Sequence, residues 1–124
     1  KKINEDIVVP RSRLAEILRE LGDIAKRHDL LIVNFGHAGD GNIHTNILVD
    51  EGDLPRAGAA VKEIFAATLR LGGSISGEHG ICVAKAAYLP MEVGPEALAV
   101  MKRIKHALDP NNVLNPGKIF VRDT

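Results

Sequence analysis

At 124 residues the chain suits one domain, long enough to bury roughly two-thirds of its unfolded surface. Sixteen basic residues balance sixteen acidic ones and aromatics are 3%, so there is no electrostatic footprint for nucleic acid or an anionic membrane and no stacking platform for single strands. The single cysteine, Cys82, excludes an internal disulfide framework and a thiolate zinc cluster, and no apolar run approaches the ~20 residues that span a bilayer.

The N-terminus, Lys1-Lys2-Ile3-Asn4-Glu5-Asp6, is followed by no apolar stretch. It is not a signal peptide and reads as a cut inside a longer chain. A reducing, cytoplasmic compartment is expected, with any membrane association made through partners. The C-terminal segment 119–124 carries no address.

Ile7-Val8-Val9, closed by Pro10, reads as a strand. Ser12 can cap a helix whose apolar positions are Leu14, Ile17, Leu18, Leu21, Ile24 and Ala25, ending near His28-Asp29. A second strand, 30–35, is apolar almost throughout, which predicts burial on both faces or a central position. Ala38-Gly39-Asp40-Gly41-Asn42 is a turn, and a third strand follows over 43–49. Its alternation puts His44, Asn46 and Leu48 on one face and Ile43, Thr45, Ile47 and Val49 on the other. Asp53 and Pro55 open a second helix, which Gly72-Gly73 ends. Ser74-Ile75-Ser76 is a short fourth strand running into Gly77-Glu78-His79-Gly80. Pro95 starts a last helix with Leu98, Met101, Ile104 and Leu108 on one side, stopped by Asp109-Pro110. The order predicts an α+β fold: a ferredoxin-like βαββαβ antiparallel sheet, helices on one face, plus a C-terminal helix.

Two clusters carry chemistry. In Gly36-His37-Ala38-Gly39-Asp40-Gly41-Asn42-Ile43-His44, two histidines flank a tight turn, so a hairpin brings both imidazoles toward one point. Two imidazoles at a fixed separation make half a metal site. In Ser76-Gly77-Glu78-His79-Gly80, glycines again flank a carboxylate and an imidazole. With the fourth strand beside the hairpin, Glu78 completes a His37–His44–Glu78 set that leaves coordination positions open. His79 points away from Glu78 in an extended segment, yet can reach a substrate over the metal as a base. Against this stands the bland reading, in which the histidines are structural or merely exposed. A calcium loop at 39–42 lacks its acidic ladder, and no phosphate loop or dinucleotide fingerprint is present.

Other residues have plain explanations. Cys82 reads as a small buried side chain. Arg11 and Arg13 read as exposed residues at a helix start. His28 and His106 suit helix C-termini. Asp40 is either a turn residue or an orienting partner of a ligating imidazole.

Gly36 to His44, Ser76 to Gly80, and Leu114-Asn115-Pro116-Gly117-Lys118-Ile119-Phe120 together resemble the C-terminal region of FAD-linked oxidases, of the D-lactate dehydrogenase, glycolate oxidase FAD-subunit and D-2-hydroxyglutarate dehydrogenase type. The resemblance runs in order along nearly the whole chain. It implies that 1–124 is the C-terminal part of a cap over a flavin held by a separate FAD-binding domain. It implies a divalent metal, zinc or manganese in type, on His37, His44 and Glu78, and a 2-hydroxy-acid substrate. His79 resembles the base, and also a substrate-binding residue; Asn46 resembles a substrate contact; Asn115 and Lys118 lie where the chain returns toward the flavin. The expected reaction is oxidation of a D-2-hydroxy acid to the 2-oxo acid with hydride transfer to FAD, and the chain alone is expected neither to hold FAD firmly nor to turn over. Two other classes remain open: a free-standing metal-dependent hydrolase, marked by a pocket this chain closes by itself, and a non-catalytic interaction module, marked by absence of metal binding. A broad exposed apolar face would favour the cap. A homo-oligomer would result if an isolated cap paired through that face.

Overall fold

The structure, a computed structural model, describes residues 1–121. The last three residues of the C-terminal segment lie outside the described residues. The chain divides into two compact units, Lys1–His79 and Gly80–Thr124.

In the first unit the elements are β1 (Lys2–Val8), α1 (Leu14–Arg27, preceded by a 3-10 turn), β2 (Leu31–His37), β3 (Asn42–Leu48) and α2 (Leu54–Arg70, also preceded by a 3-10 turn). The three strands form one antiparallel sheet in the order β1-β3-β2. Register places Ile7, Ile43 and Gly36 in one row and Ile3, Ile47 and Ile32 in another. Ile7, Ile43, Thr45 and Ile47 form the buried face, toward Ile17, Leu21 and Ile24 of α1 and Ile64 and Phe65 of α2. Both helices therefore cover one side of the sheet, as an α+β fold requires.

Three features differ from the expected pattern. Ser74-Ile75-Ser76 is not a strand: it makes a single antiparallel bridge, Val8 with Ser74. The chain bends away beyond it because the Glu78 and His79 amides donate to Asp6 rather than to a ladder. Strand β2 is an edge strand, not a central one. Leu31, Val33 and Phe35 are 62%, 45% and 55% exposed on the side opposite the helices, while the central β3 is buried along all but its last residue. An all-apolar strand predicts cover on both faces, and this chain supplies cover on only one. Strand β1 also starts earlier than expected, which brings Glu5 and Asp6 into the sheet.

Neither Ser12 nor Asp53 donates or accepts a side-chain capping bond at these helix starts. Ion pairs between the helices lock them together. Glu63 of α2 accepts from Arg27 at 2.6 Å and lies 2.8 Å from His28 Nε2 at the end of α1, and Arg70 pairs with Glu20. The Arg27 hydrogen bond, then that of His28, holds the Glu63 carboxyl below the usual carboxylate range. A depressed carboxylate stabilises the fold above its unfolded pKa, and that contribution is lost as pH falls through the folded value. Glu63 is 42% exposed, so screening limits the effect. Glu63→Gln should therefore destabilise by at most about 1 kcal/mol at neutral pH, with the difference vanishing in acid. Urea unfolding of both proteins across pH checks this; a difference that grows on acidification would contradict it.

In the second unit a short α3 (Leu89–Glu92) precedes α4 (Pro95–Leu108). Gly94 and Pro95 start α4 as expected. Asp109 ends it: its carboxylate accepts from the amides of Val113 and Leu114, each at 2.9 Å, and pairs with Lys105. Cys82, expected to be buried, is exposed at φ 48°, its carbonyl accepting from the Ile119 amide. The apolar side of α4 is only partly covered: Leu98 and Met101 are half-buried, Ile104 and Leu108 exposed. Met101, Ile104 and Leu108 line a groove of about 450 Å³ with Leu114, Ile119 and Phe120, and no residue of α4 is buried.

Candidate metal and catalytic site

The site lies on the sheet face opposite the helices. His37 ends β2 opposite Asn42, and His44 stands two residues along β3 opposite Phe35. A period of two puts both histidines on the same face. The turn between them is narrow and pinned. Asp40 N donates to the His37 carbonyl, and the Gly41 carbonyl accepts from Val9 N at 3.0 Å. Gly41 adopts φ +72°, and a Cβ there would stand 2.0 Å from the Val9 carbonyl oxygen. Only glycine lets β1 and the turn approach this closely. The imidazoles of His37 and His44 meet edge to face, centroids 5.8 Å apart.

The 76–80 loop supplies the rest. Gly77 passes over Asn42 so closely that a Cβ would meet its side-chain oxygen at 2.6 Å. Glu78 is thereby delivered to the hairpin, with Oε1 3.0 Å from His44 Nε2. His79 does not point away from Glu78. The loop is a bend rather than an extended segment, so His79 Nε2 lies 4.0 Å from Glu78 Oε1 and its ring sits 5.2 Å from that of His44. Asp6 holds the bend: Oδ2 accepts from Glu78 N at 2.5 Å and His79 N at 2.9 Å, while Oδ1 lies 3.6 Å from His79 Nδ1.

His37, His44 and Glu78 each offer one ligand atom, all within 4.8 Å of one another. Ligand bonds of about 2.0–2.2 Å put donors of one ion up to ~4 Å apart, so small side-chain shifts close this set on a divalent cation. His44 is buried while His37 and Glu78 are exposed, which leaves one side open to a substrate. Phe35 stacks on His44, centroids 5.2 Å apart. Asn46 lies one step further along β3, nearly buried, its Oδ1 without a hydrogen-bond partner. Asp40 is exposed in the turn.

Asn115 and Lys118 belong to the second unit, where both line the groove along α4, and Asn115 O accepts from Lys118 N. Sequence reasoning missed Asp6. Its signal was an acidic residue directly before the β-branched run Ile7-Val8-Val9, at a position whose alternation puts it on the same face as His44.

A helix-backed antiparallel sheet with two histidines and a glutamate gathered on its open face defines an α+β domain with a candidate metal site. The chain belongs to the family of FAD linked oxidases, C-terminal domain, whose pattern matches residues 1–119. It is 45% identical over 124 residues to the glycolate oxidase subunit GlcD of Bacillus subtilis, covering 98% of this chain and 26% of that protein. It is 39% identical over 118 residues to a D-lactate dehydrogenase of Anaerostipes hadrus (92% and 25% covered). Against the mitochondrial D-lactate dehydrogenase [cytochrome] of Arabidopsis thaliana it is 40% identical over 118 residues (93% and 21% covered). The chain thus spans about a quarter of the length of these curated relatives. Among the described residues no helix is long and apolar enough to cross a membrane.

Proposed function

We propose that residues 1–124 are the C-terminal part of the cap in a flavin-dependent enzyme that oxidises a D-2-hydroxy acid to the 2-oxo acid. The observation that carries this reading is the convergence of His37, His44, Glu78 and His79 on an open sheet face, in a chain of the FAD-linked oxidase family. His37, His44 and Glu78 would hold a divalent metal of zinc or manganese type. Such an ion, when bound, supplies Lewis acidity to the substrate hydroxyl and carboxylate. FAD, held mainly by a separate domain, supplies the hydride acceptor.

The remaining roles fall to the chain's own residues. His79, 46% exposed beside the cluster, takes the hydroxyl proton as the C2 hydrogen leaves as hydride. The products are the 2-oxo acid, a protonated His79 and reduced flavin, so charge and electrons balance. Asn46 is assigned as a substrate contact on the family resemblance; its amide oxygen is closed to solvent and has no hydrogen-bond partner within the chain. Asn115 and Lys118 are assigned toward the flavin on the family resemblance.

The site is not a pocket that the first unit closes by itself. Leu31, Val33, Phe35 and Leu48 extend as an exposed apolar strip beside it, which favours a cap that meets another domain over a free-standing hydrolase. The test is anaerobic mixing of the chain, joined to its flavin-binding domain, with D-lactate, L-lactate and glycolate. Loss of oxidised-flavin absorbance with a D-2-hydroxy acid or glycolate, abolished by chelator, is expected. An oxidised flavin with every 2-hydroxy acid would overturn the reading.

A further inference from the structure

We propose that Asp6 is a positioning residue that presets Glu78 and His79 for metal binding and proton transfer; this rests on the reading of the site given above. Asp6 lies in β1 directly opposite His44 and is fully buried, with 0% of its surface exposed. Removing a carboxylate from water is costly unless strong hydrogen bonds replace the solvent. Here they come from two consecutive backbone amides 72 and 73 residues along the chain, at 2.5 and 2.9 Å.

The consequence is geometric. Two successive N–H groups aimed at one oxygen fix the peptide planes on either side of Glu78. A segment that would otherwise alternate its side chains across a strand is bent so that both reach the same cluster. The bend carries Glu78 Oε1 to 3.0 Å from His44 Nε2 and the His79 ring to 5.2 Å from that imidazole. The second carboxylate oxygen lies 3.6 Å from His79 Nδ1. The Nε2 atom of the ring lies 4.0 Å from Glu78 Oε1. At 3.6 Å the contact between Asp6 and His79 is longer than the carboxylate–imidazole hydrogen bond of hydrolytic triads and metal centres, so the backbone clamp, not the second oxygen, does most of the positioning. Asp6 also ties the two parts of the site together: the hairpin through its row with His44, and the loop through its oxygens.

Asp6→Asn keeps the shape of the side chain and one acceptor oxygen, but removes the negative charge that the two N–H groups and His79 face, and puts an N–H₂ where the second carboxylate oxygen stood. The probe is Mn²⁺, titrated into the chelator-stripped chain as parent, Asp6→Asn, Asp6→Ala and Glu78→Ala, with backbone amide spectra recorded for each. We expect Glu78→Ala to lose saturable Mn²⁺ binding. Both Asp6 variants should bind about 10–100-fold more weakly, the range for outer partners of metal ligands. In Asp6→Asn the Ile7, Ile43 and Ile47 resonances should stay in place while those of Glu78 and His79 move. A purely structural Asp6 would shift the sheet resonances and leave the affinity of the folded fraction unchanged, which would overturn the proposal. Parent-like binding in Asp6→Asn, with Glu78→Ala inactive, would overturn the Asp6 role alone. Unchanged Mn²⁺ binding in Glu78→Ala would overturn the metal reading and the Asp6 role with it. The parent chain gives a check that needs no variant: the Glu78 and His79 amides should resist hydrogen exchange, and exchange at the rate of open loop amides would contradict the clamp.

Discussion

In the chain joined to its flavin-binding domain, Glu78→Ala and His44→Ala should, on the proposed reading, each slow flavin reduction by a D-2-hydroxy acid at least about 10³-fold, the several kcal/mol that a lost Lewis acid removes from transition-state stabilisation. Both should lose the divalent ion at the same time, because each removes one of three ligand atoms now within 4.8 Å of one another. His79→Gln should behave differently. It should retain the ion at near-parent affinity and still slow reduction by about 10²–10⁴-fold, the range for a lost general base. That split would separate the two proposed roles of residues whose rings lie only 5.2 Å apart, His44 and His79. Metal content by elemental assay and stopped-flow flavin reduction on the same samples decide it. A His79→Gln protein that also loses its metal would make His79 a ligand rather than a base. A Glu78→Ala protein with full metal and full rate would remove the basis for the assignment.

The second large effect falls on Gly41. Gly41→Ala should destabilise the fold by roughly 3 kcal/mol or more, from a left-handed conformation that alone costs about 1–3 kcal/mol and a backbone collision added to it. The conformation is φ +72° and the collision is a Cβ at 2.0 Å from the Val9 carbonyl oxygen. That oxygen belongs to backbone, so β1 and the turn must separate to relieve the overlap. Since the turn carries His37 and the same region of β1 carries Asp6, metal affinity should fall together with Tm, by roughly 10 °C or more. Gly39→Ala is the control within the same turn. A Cβ at Gly39 meets nothing within 4 Å, and the variant should melt close to the parent. Equal melting temperatures for the two variants would contradict this view of the turn.

The parts of the site legible from sequence were those set by short-range rules. A hairpin with a glycine-rich turn was enough to predict that both imidazoles reach toward one point, and in the structure His37 and His44 share one face. Of the glycines around Glu78, Gly77 passes close over Asn42 in the structure. What was not legible depended on partners far along the chain. The orientation of His79 is set by Asp6, 73 residues away, so an extended reading of 74–79 sent its side chain the wrong way. Strand β2 looked central because Leu31, Val33 and Phe35 are as apolar as Ile32. Their exposure follows from what this chain does not cover, which no local pattern records. Asp6 escaped notice because the strand was started at Ile7, where the β-branched run begins. The single turn of α3, with Pro90 inside it, has too few residues to show helical periodicity.

The hypothesis tested most directly is that this chain builds a divalent-metal site from its hairpin and the 76–80 loop. The measurement is a calorimetric titration of Zn²⁺ and Mn²⁺ into the chelator-stripped chain, with His37→Ala and Glu78→Ala alongside. Saturable one-to-one binding in the parent, lost in both variants, is the predicted result. No saturable binding in a folded parent, or binding that survives both substitutions, would contradict the account.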